Sequence, residues 1–284
     1  LRYRGAEMSK RVQAAFTTSG LTDALENVMH KRFLGHFENP MFVWRRICRI
    51  NPPGDFRKVA RISRGNYANL AIVSESGSYA AMTSWGDEGH GYTPQKRGGT
   101  DTVTWETMVN DDVGIMRDIA PSMAYAAGRT LDDFVASRYI PTTTATMDYD
   151  SSPVYQATVH SNRVTSALTS TALIADYKAM YKLTDISSGK RLAGGNVMKK
   201  ILIPIDLEDT AFNLTKSRET FPGGSTADYE YIRQRQLEPV TIPGWTDAND
   251  WVSATDDACE IGFLAGREEP ELFLEGGGAQ NIGD

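Results

Sequence analysis

Polar and apolar residues alternate along the chain from Phe56 to Met108, and the alternation passes into a helical pattern that extends to Tyr139. A period of two is typical of extended strands, and the glycines between Gly86 and Gly99 indicate turns or bulges. The segment is therefore predicted to be a long two-stranded hairpin followed by a helix. Because an isolated hairpin is at best marginally stable in water, we expect another molecule to cover it, most simply a second copy of the chain.

Two segments have the apolar spacing of amphipathic helices. The first begins at a cap residue, Thr18 or Ser19. Its apolar stripe consists of Leu21, Leu25, Val28, Met29, Phe33 and Phe37. The second segment begins at the acidic cap that starts with Asn110 and continues to Tyr139. Pro121 removes one backbone donor from it, which predicts a kink or a break just before that residue.

The composition changes after Pro141, where a segment rich in Thr and Ser predicts a loop between domains. A third helix is predicted from the cap Ser161-Asn162 to about Tyr181. The residues predicted to face inward from it are Val164, Leu168, Thr171, Ala172, Ala175 and Ala179.

An apolar run from Lys200 to Ile205 predicts a buried strand, and Asp206 with Asp209 opens a short helix after it. Further strands are predicted at Leu237–Ile242, Asp250–Ser253, Cys259–Leu264 and Glu271–Leu274. A strand that leads into a helix and then into more strands indicates an α+β or α/β second domain.

Composition excludes several classes of protein. The chain has 284 residues and a formal net charge of −6, which argues against sequence-independent binding of nucleic acid through a basic face. It contains no apolar run near the roughly 18 residues that a membrane span needs. The two cysteines, Cys48 and Cys259, fit no metal or disulfide spacing and are predicted to be buried free thiols in a reducing compartment.

Candidate chemistry is sparse. His90 lies near Asp87 and Glu88 in the string GDEGHGY, but the surrounding glycines favour a loop tip over an acid–base or metal cluster. The sequence has no nucleophile elbow and no phosphate-binding loop of the G-x-x-x-x-G-K type. Trp44 with two adjacent arginines is too small a set for a nucleic-acid groove, so packing with a role at an interface is favoured. We therefore expect no enzyme, no cofactor and no metal site.

Several strings, in this order, resemble the major capsid protein of tailed bacteriophages, which has the Hong Kong 97-type fold, in the versions that are encoded together with a prohead protease. They are FTTSGLTDALENVMHKRFLGHFE, DFRKVARIS, SGSYAAMTSWGDEG, TVTWETMVNDDVGIMRDIAPSMAYAAGRTLDD, KKILIPIDLEDTA and EPELFLE. The matches are spread over most of the chain, and the block from the hairpin into the long helix is the most specific.

The resemblance implies an α+β fold with five parts. These are an N-terminal arm and first helix (1–55), an extended β-hairpin loop (56–109), the spine helix of a peripheral domain (110–149), an axial domain (150–235) and strands that return to the peripheral domain (236–284). The start at Leu1 instead of Met agrees with the trimming of a preceding scaffold or protease portion that the family shows.

The resemblance also implies a structural role in the virion. Pentamers and hexamers would close into an icosahedral shell around double-stranded DNA, without sequence-specific binding, in the cytoplasm of the bacterial host. Portal, scaffold or protease, and decoration proteins would be the partners, and no catalytic, cofactor or metal site is implied. The side chains predicted at the interface between subunits are Arg57, Arg61, Arg64, Tyr67, Glu75, Tyr79, Trp85, Asp87 and Glu88. Their positive and negative charges lie at different places along the hairpin, which would set the register of one subunit over the next.

Two alternatives stay open. One is an encapsulin-like compartment of the same fold, which holds a cargo enzyme instead of a genome. The other is an oligomeric enzyme or small-molecule binder built on the α+β half, with the hairpin as a dimerisation arm.

Overall fold

The computed structural model describes most of the chain, namely residues 18–37, 42–82, 87–103, 110, 116–140, 145–185, 188–192, 197–216, 226–256 and 258–273. Contacts between residues divide the protein into two compact units. The first lies within residues 1–42, 97–131 and 267–284, and the second within residues 43–96 and 132–266.

The helices of the described residues alternate with groups of strands along the sequence. They are α1 (Thr18–Phe37), α2 (Trp44–Ile47), α3 (Met116–Tyr139), α4 (Ser170–Tyr181), α5 (Glu208–Thr215) and α6 (Thr226–Gln234), with short 3₁₀ turns at Ile205–Leu207 and Leu264–Gly266. None of the helices in these ranges is long and apolar enough to cross a membrane.

The strands of the described residues form three small sheets. They are β1 (Cys48–Asn51), β2 (Val59–Arg64), β3 (Asp87–Tyr92), β4 (Lys200–Ile203), β5 (Glu238–Thr241), β6 (Val252–Ala254) and β7 (Cys259–Gly262). β1 pairs with β7 in parallel, β2 pairs with β3 as an antiparallel hairpin, and β4 lies between β5 and β6. The middle strand of that third sheet is parallel to β5 and antiparallel to β6.

The core of the first unit lies between α1 and the N-terminal half of α3. Phe33 and Phe37 are buried against Ala120 and Ala124. The predicted apolar stripe of α1 is therefore confirmed at Phe33 and Phe37. It is wrong at Val28, which is 57% exposed. The helix α3 continues through Pro121, so the break that the sequence allowed there does not occur.

The core of the second unit is built around β4. Its residues Ile201, Leu202 and Ile203 are fully buried, because helices α4, α5 and α6 and the neighbouring strands cover the sheet. Burial of one such side chain stabilises a fold by roughly 1.5–3 kcal/mol. The mixture of helices with a mixed sheet makes the fold α+β, and the predicted strands at β4, β5, β6 and β7 are confirmed.

The helix α4 begins later than the sequence indicated. Thr169 caps it by accepting a hydrogen bond from the backbone N–H of Ala172 at 3.2 Å. Ser161, the expected cap, has a φ of 51°, a left-handed conformation that does not start a helix. Of the predicted inward-facing set, Leu168 is buried, but it lies before the helix, and Val164 is 69% exposed. The large buried side chains of the helix itself are Leu173 and Tyr177.

The pairing of β1 with β7 also corrects an expectation. Cys48 lies opposite Cys259 in this pair, and the two form a disulfide with their Cα atoms 4.8 Å apart. No free cysteine is present, so the prediction of free thiols is wrong. The cysteines have a sequence separation of 211, which gave no spacing from which the bond could be predicted.

Two predicted strands are not found where the structure describes their residues. The segment expected to resume alternation at Thr100 has no strand over residues 100–103, and residues 104–108 lie outside the described ranges. The expected strand from Glu271 to Leu274 is likewise absent over residues 271–273, and Leu274 is not among the described residues.

Candidate assembly surface

The hairpin consists of a paired base and a long exposed loop. Its strands pair from Val59 with Tyr92 to Arg64 with Asp87. Residues 67–82, which we name the loop tip, form no helix or strand. Large hydrophobic side chains of the tip are exposed to solvent; for example, 83% of Leu70 is exposed. Several exposed apolar residues on one segment indicate a surface that another molecule covers.

The exposed large hydrophobic side chains of the loop tip, with their exposed fractions, are Ile72 102%, Tyr79 89%, Leu70 83%, Tyr67 52% and Met82 45%. The contrast with the core of the same unit is large, because the apolar residues of β4 are fully buried.

One side of the hairpin base is held by the carboxylate of Glu260 on β7. Arg61 donates to Glu260 Oε1 from Nε and Nη2, both at 3.0 Å, and the hydroxyl of Tyr92 donates to the same oxygen at 2.8 Å. Arg49 on β1 donates to Oε2 at 3.1 Å. Charged donors of this kind form the stronger class of hydrogen bonds, so β2, β3 and β1 are joined at one acidic side chain.

The protonation of this cluster follows from its surroundings. Burial acts to raise the pKa of Glu260, but the hydrogen bonds from its three donors outweigh it, and the pKa lies below its usual value. Burial is the largest cause that raises the pKa of Tyr92. At neutral pH the carboxylate is therefore charged and the phenol is a hydrogen-bond donor.

The other side of the base is held by the segment that follows α3. Lys58 forms an ion pair with Asp148 at 2.7 Å, and the hydrogen bond from this ammonium group is the largest cause that lowers the pKa of Asp148. The backbone N–H of Gly91 also donates to this carboxylate. The ring of His90 packs edge to face on Tyr149 at 5.1 Å. Both strands of the hairpin thus contact the same turn.

A third carboxylate fixes the place where β2 ends. The backbone N–H of Asn66 donates to both oxygens of Asp185 at 3.0 Å. Asp185 is buried, and Ser188 donates to it through its N–H and its hydroxyl. Because three carboxylates from separate segments hold the base, the subunit itself determines where the loop tip begins.

The structure places the predicted interface residues in three different settings. Tyr67, Glu75 and Tyr79 lie in the loop tip and are exposed. Arg57 is exposed before β2, where it pairs with Asp55 at 3.4 Å. Arg61 is bound to Glu260 of its own chain, within the base.

The remaining four predicted interface residues are at the end of the paired strands or between them in the sequence. Arg64, Asp87 and Glu88 contribute backbone pairs to the hairpin, and their side chains lie outside the described part of the protein. Trp85 falls outside the described residues altogether. The role of all nine residues in contacts between subunits stays a prediction.

The sequence did not point to the three anchoring carboxylates. Asp185 lies 119 residues from its hairpin partner, and Glu260 lies 199 residues from Arg61. An acidic residue is normally solvated, and only the folded arrangement distinguishes these three. Among the described residues no group of three or more His, Cys, Asp or Glu side chains is arranged to hold a metal ion.

The anchor at Glu260 can be tested by the substitution Glu260→Gln. It keeps the shape of the side chain but removes the charge that three donors share, so the free energy of unfolding should fall by about 1.5–3 kcal/mol at pH 7. Because the folded pKa of Glu260 is lowered, its stabilising effect is present above its usual pKa and is lost as pH falls through the folded value. The difference between the two proteins should therefore be full above pH ~5 and shrink below pH ~4.

Urea unfolding at several pH values measures this difference. The matched control is Glu238→Gln, which removes a surface ion pair with Arg46 and should cost less than about 1 kcal/mol. An equal loss in both variants, or a loss that does not depend on pH, would show that Glu260 does not anchor the hairpin.

Comparison with known proteins gives two findings. A family model described as phage capsid protein matches residues 87–282. A chain from the capsid of bacteriophage JBD30, decorated with minor capsid protein trimers, aligns with a TM-score of 0.51 at 11% sequence identity. The alignment covers 72% of this chain and 91% of that chain. Because the sequence identity is low, the likeness shows a shared fold and nothing more. A search of curated proteins found no match.

Proposed function

The chain belongs to the phage capsid protein family, and from that premise we propose that its subunits form pentamers and hexamers that close into an icosahedral shell around double-stranded DNA. The protein is a structural component of a phage capsid, with an α+β fold like that of a known phage capsid chain. Portal, scaffold or protease, and decoration proteins are proposed partners of the assembly in the host cytoplasm.

We assign the parts of the Hong Kong 97-type fold as follows. The axial domain (150–235) surrounds the axis of each capsomer, and the peripheral domain contains the spine helix (110–149) and the returning strands (236–284). The N-terminal arm comprises residues 1–55. The extended loop (56–109) reaches over the adjacent subunit. The interface residues named from the sequence lie on this loop. Those that the structure describes as exposed are Arg57, Arg61, Tyr67, Glu75 and Tyr79, of which Arg61 is bound to Glu260 of its own chain.

The observation that carries the proposal is the contrast between the two ends of the hairpin. Its base is held by Glu260, Asp148 and Asp185, whereas Leu70, Ile72 and their apolar neighbours in the loop tip are exposed. A neighbouring subunit that covered the tip would bury these side chains. Many such contacts, each modest, add up when the symmetry of the assembly is closed, so the shell is stable although each contact is weak.

The charge of the chain fits a container for DNA. A net charge of −6 gives little general attraction to phosphates, and packaged DNA carries its own counterions. Such a shell encloses the genome without reading its sequence and without holding it so tightly that release is hindered.

Electron microscopy of particles purified from phage-producing cells, together with assay of their nuclease-protected DNA, tests the proposal. We expect closed icosahedral particles that contain double-stranded DNA. Particles that contain a protein cargo and no DNA would identify a compartment instead of a virion. A single species of fewer than about five subunits under native conditions would contradict the proposed assembly.

A further inference from the structure

A cationic cavity lies in the second unit. Its volume is about 270 Å³, and four of its lining residues are Lys178, Lys182, Arg191 and Arg235. No Asp or Glu is among the lining residues. The protein as a whole has more acidic than basic residues, so four cations around one cavity make this region positive where the whole chain is negative.

The cations come from different segments. Lys178 lies in the last turn of α4 and Lys182 caps its C-terminal end. Arg191 lies on the short bridge with Thr184, and Arg235 follows the end of α6. The ion pairs between described residues include none of these four side chains. The fold therefore brings like charges together without a carboxylate of the described residues to balance them.

Helix geometry explains only part of this cluster. Carbonyl groups at a helix C-terminus favour a nearby cation, which accounts for a lysine at the end of α4. Arg191 lies outside any helix, so this effect does not account for its position. An anion bound in the cavity would be attracted by all four cations.

The floor of the cavity is aromatic and holds one of the cations in place. The guanidinium of Arg235 lies 5.0 Å from the ring centre of Tyr177 and 4.7 Å from that of Tyr231. The two rings pack edge to face at 6.2 Å, and Tyr177 is buried. Stacking uses the face of the guanidinium and leaves its N–H groups available to an oxyanion. A stacked arginine beside two lysines is suited to phosphate, which accepts bidentate hydrogen bonds.

We propose that this cavity is a binding site for phosphate groups, presented either by a free polyphosphate or by the backbone of nucleic acid. The size of the cavity accommodates a few phosphate groups, and the four positive charges match the several negative charges that such a ligand carries. A single carboxylate would balance only one of them. The site is a property of the subunit and does not depend on the proposed shell.

Two probes distinguish the sources of phosphate. Isothermal titration calorimetry with sodium tripolyphosphate measures binding of the free anion, and fluorescence anisotropy with a labelled DNA duplex measures binding of the backbone. Both use the full chain at low salt. The double substitution Lys178→Gln/Lys182→Gln should weaken binding of the preferred probe at least about tenfold. If that probe is DNA, the slope of log K against log salt should become smaller by up to about two.

The matched control is Lys199→Gln/Lys216→Gln, which makes the same change of charge at exposed positions of the same unit, outside the cavity. It should leave binding within about twofold. Arg191→Gln, on a separate segment, gives a second test that does not depend on the folding of the α4 variant. Equal weakening in the cavity and control variants, no weakening in the cavity variants, or no binding of either probe would overturn the proposal.

Discussion

Deletion of residues 67–82 is expected to give a folded, soluble subunit that no longer forms closed shells. The deletion removes the exposed loop tip and leaves the anchors at Arg61, Lys58 and Asn66 in place. Residues 65, 66 and 83–86 would still connect the two strands, and a connection of about six residues is common between elements of compact domains. The fold of the subunit should therefore survive while the contact with the neighbour is lost.

The expected size of the effect follows from the exposed side chains. Covering Leu70, Ile72 and Tyr79 on a neighbouring subunit would contribute roughly 1.5–3 kcal/mol for each side chain that becomes fully buried. Loss of even 2.7 kcal/mol per contact raises the concentration needed for association about 100-fold. Because every subunit of a closed shell repeats the contact, shells should be absent at concentrations at which the wild type assembles completely.

Size-exclusion chromatography and electron microscopy measure this outcome. A triple substitution, Leu70→Ser/Ile72→Ser/Tyr79→Ser, keeps the length of the loop and should also abolish closed shells. The matched control is Ser76→Ala/Ser78→Ala, which changes exposed residues of the same tip without removing apolar surface and should assemble normally. Normal shells from the deletion variant would show that the tip does not cover a neighbouring subunit.

The sequence predicted those elements in which the apolar residues follow a clear local pattern. The alternation around Val59 and Arg61 predicted β2, and the continuous apolar run that includes Ile201–Ile203 predicted a buried strand, which the structure confirms. A family model that matches residues 87–282 confirms the family prediction. That prediction rested on whole strings of sequence and not on single residues. The domain boundaries assigned from that resemblance stay predictions.

The helix α4 shows where local pattern fails. Several small or polar residues between Ser161 and Tyr181 satisfy a helical period in more than one phase, so sequence alone did not choose the buried face. Packing against Ile201 and Leu214 chose the face with Leu173 and Tyr177. The helix α6 was missed because its sequence TADYEYIRQ offers few apolar residues. Among the side chains of this helix that the structure describes, only Ile232 is fully buried.

The three carboxylates that hold the base of the hairpin could not be predicted from the sequence, for a reason different from that for α4 and α6. The sequence identified the hairpin and its exposed tyrosines, but Glu260, Asp148 and Asp185 act through contacts between distant segments. Pairing of charges depends on positions in space, and many acidic residues of the chain could equally have faced solvent. The pairing of the two cysteines was hidden in the same way.

Removal of the disulfide between Cys48 and Cys259 is expected to lower the free energy of unfolding of the subunit by about 2–5 kcal/mol. The bond closes a loop with a sequence separation of 211 residues, so it restricts the unfolded chain strongly. It also joins β1 to β7, the strand that carries the anchor Glu260. For a chain of this size the midpoint of thermal unfolding should fall by about 5–15 °C.

The assembly-deficient deletion variant is the suitable background, because its unfolding is not coupled to the dissociation of shells. Cys48→Ser/Cys259→Ser in this background should unfold at lower urea concentration than its parent, and reductant should lower the parent to the level of the double variant. The double variant itself is the control, since reductant should not change it. If reductant leaves the parent unchanged while free thiols appear in a thiol assay, the bond contributes nothing to stability. In that case the hydrogen bonds and packing of β1 with β7 alone hold the two segments together.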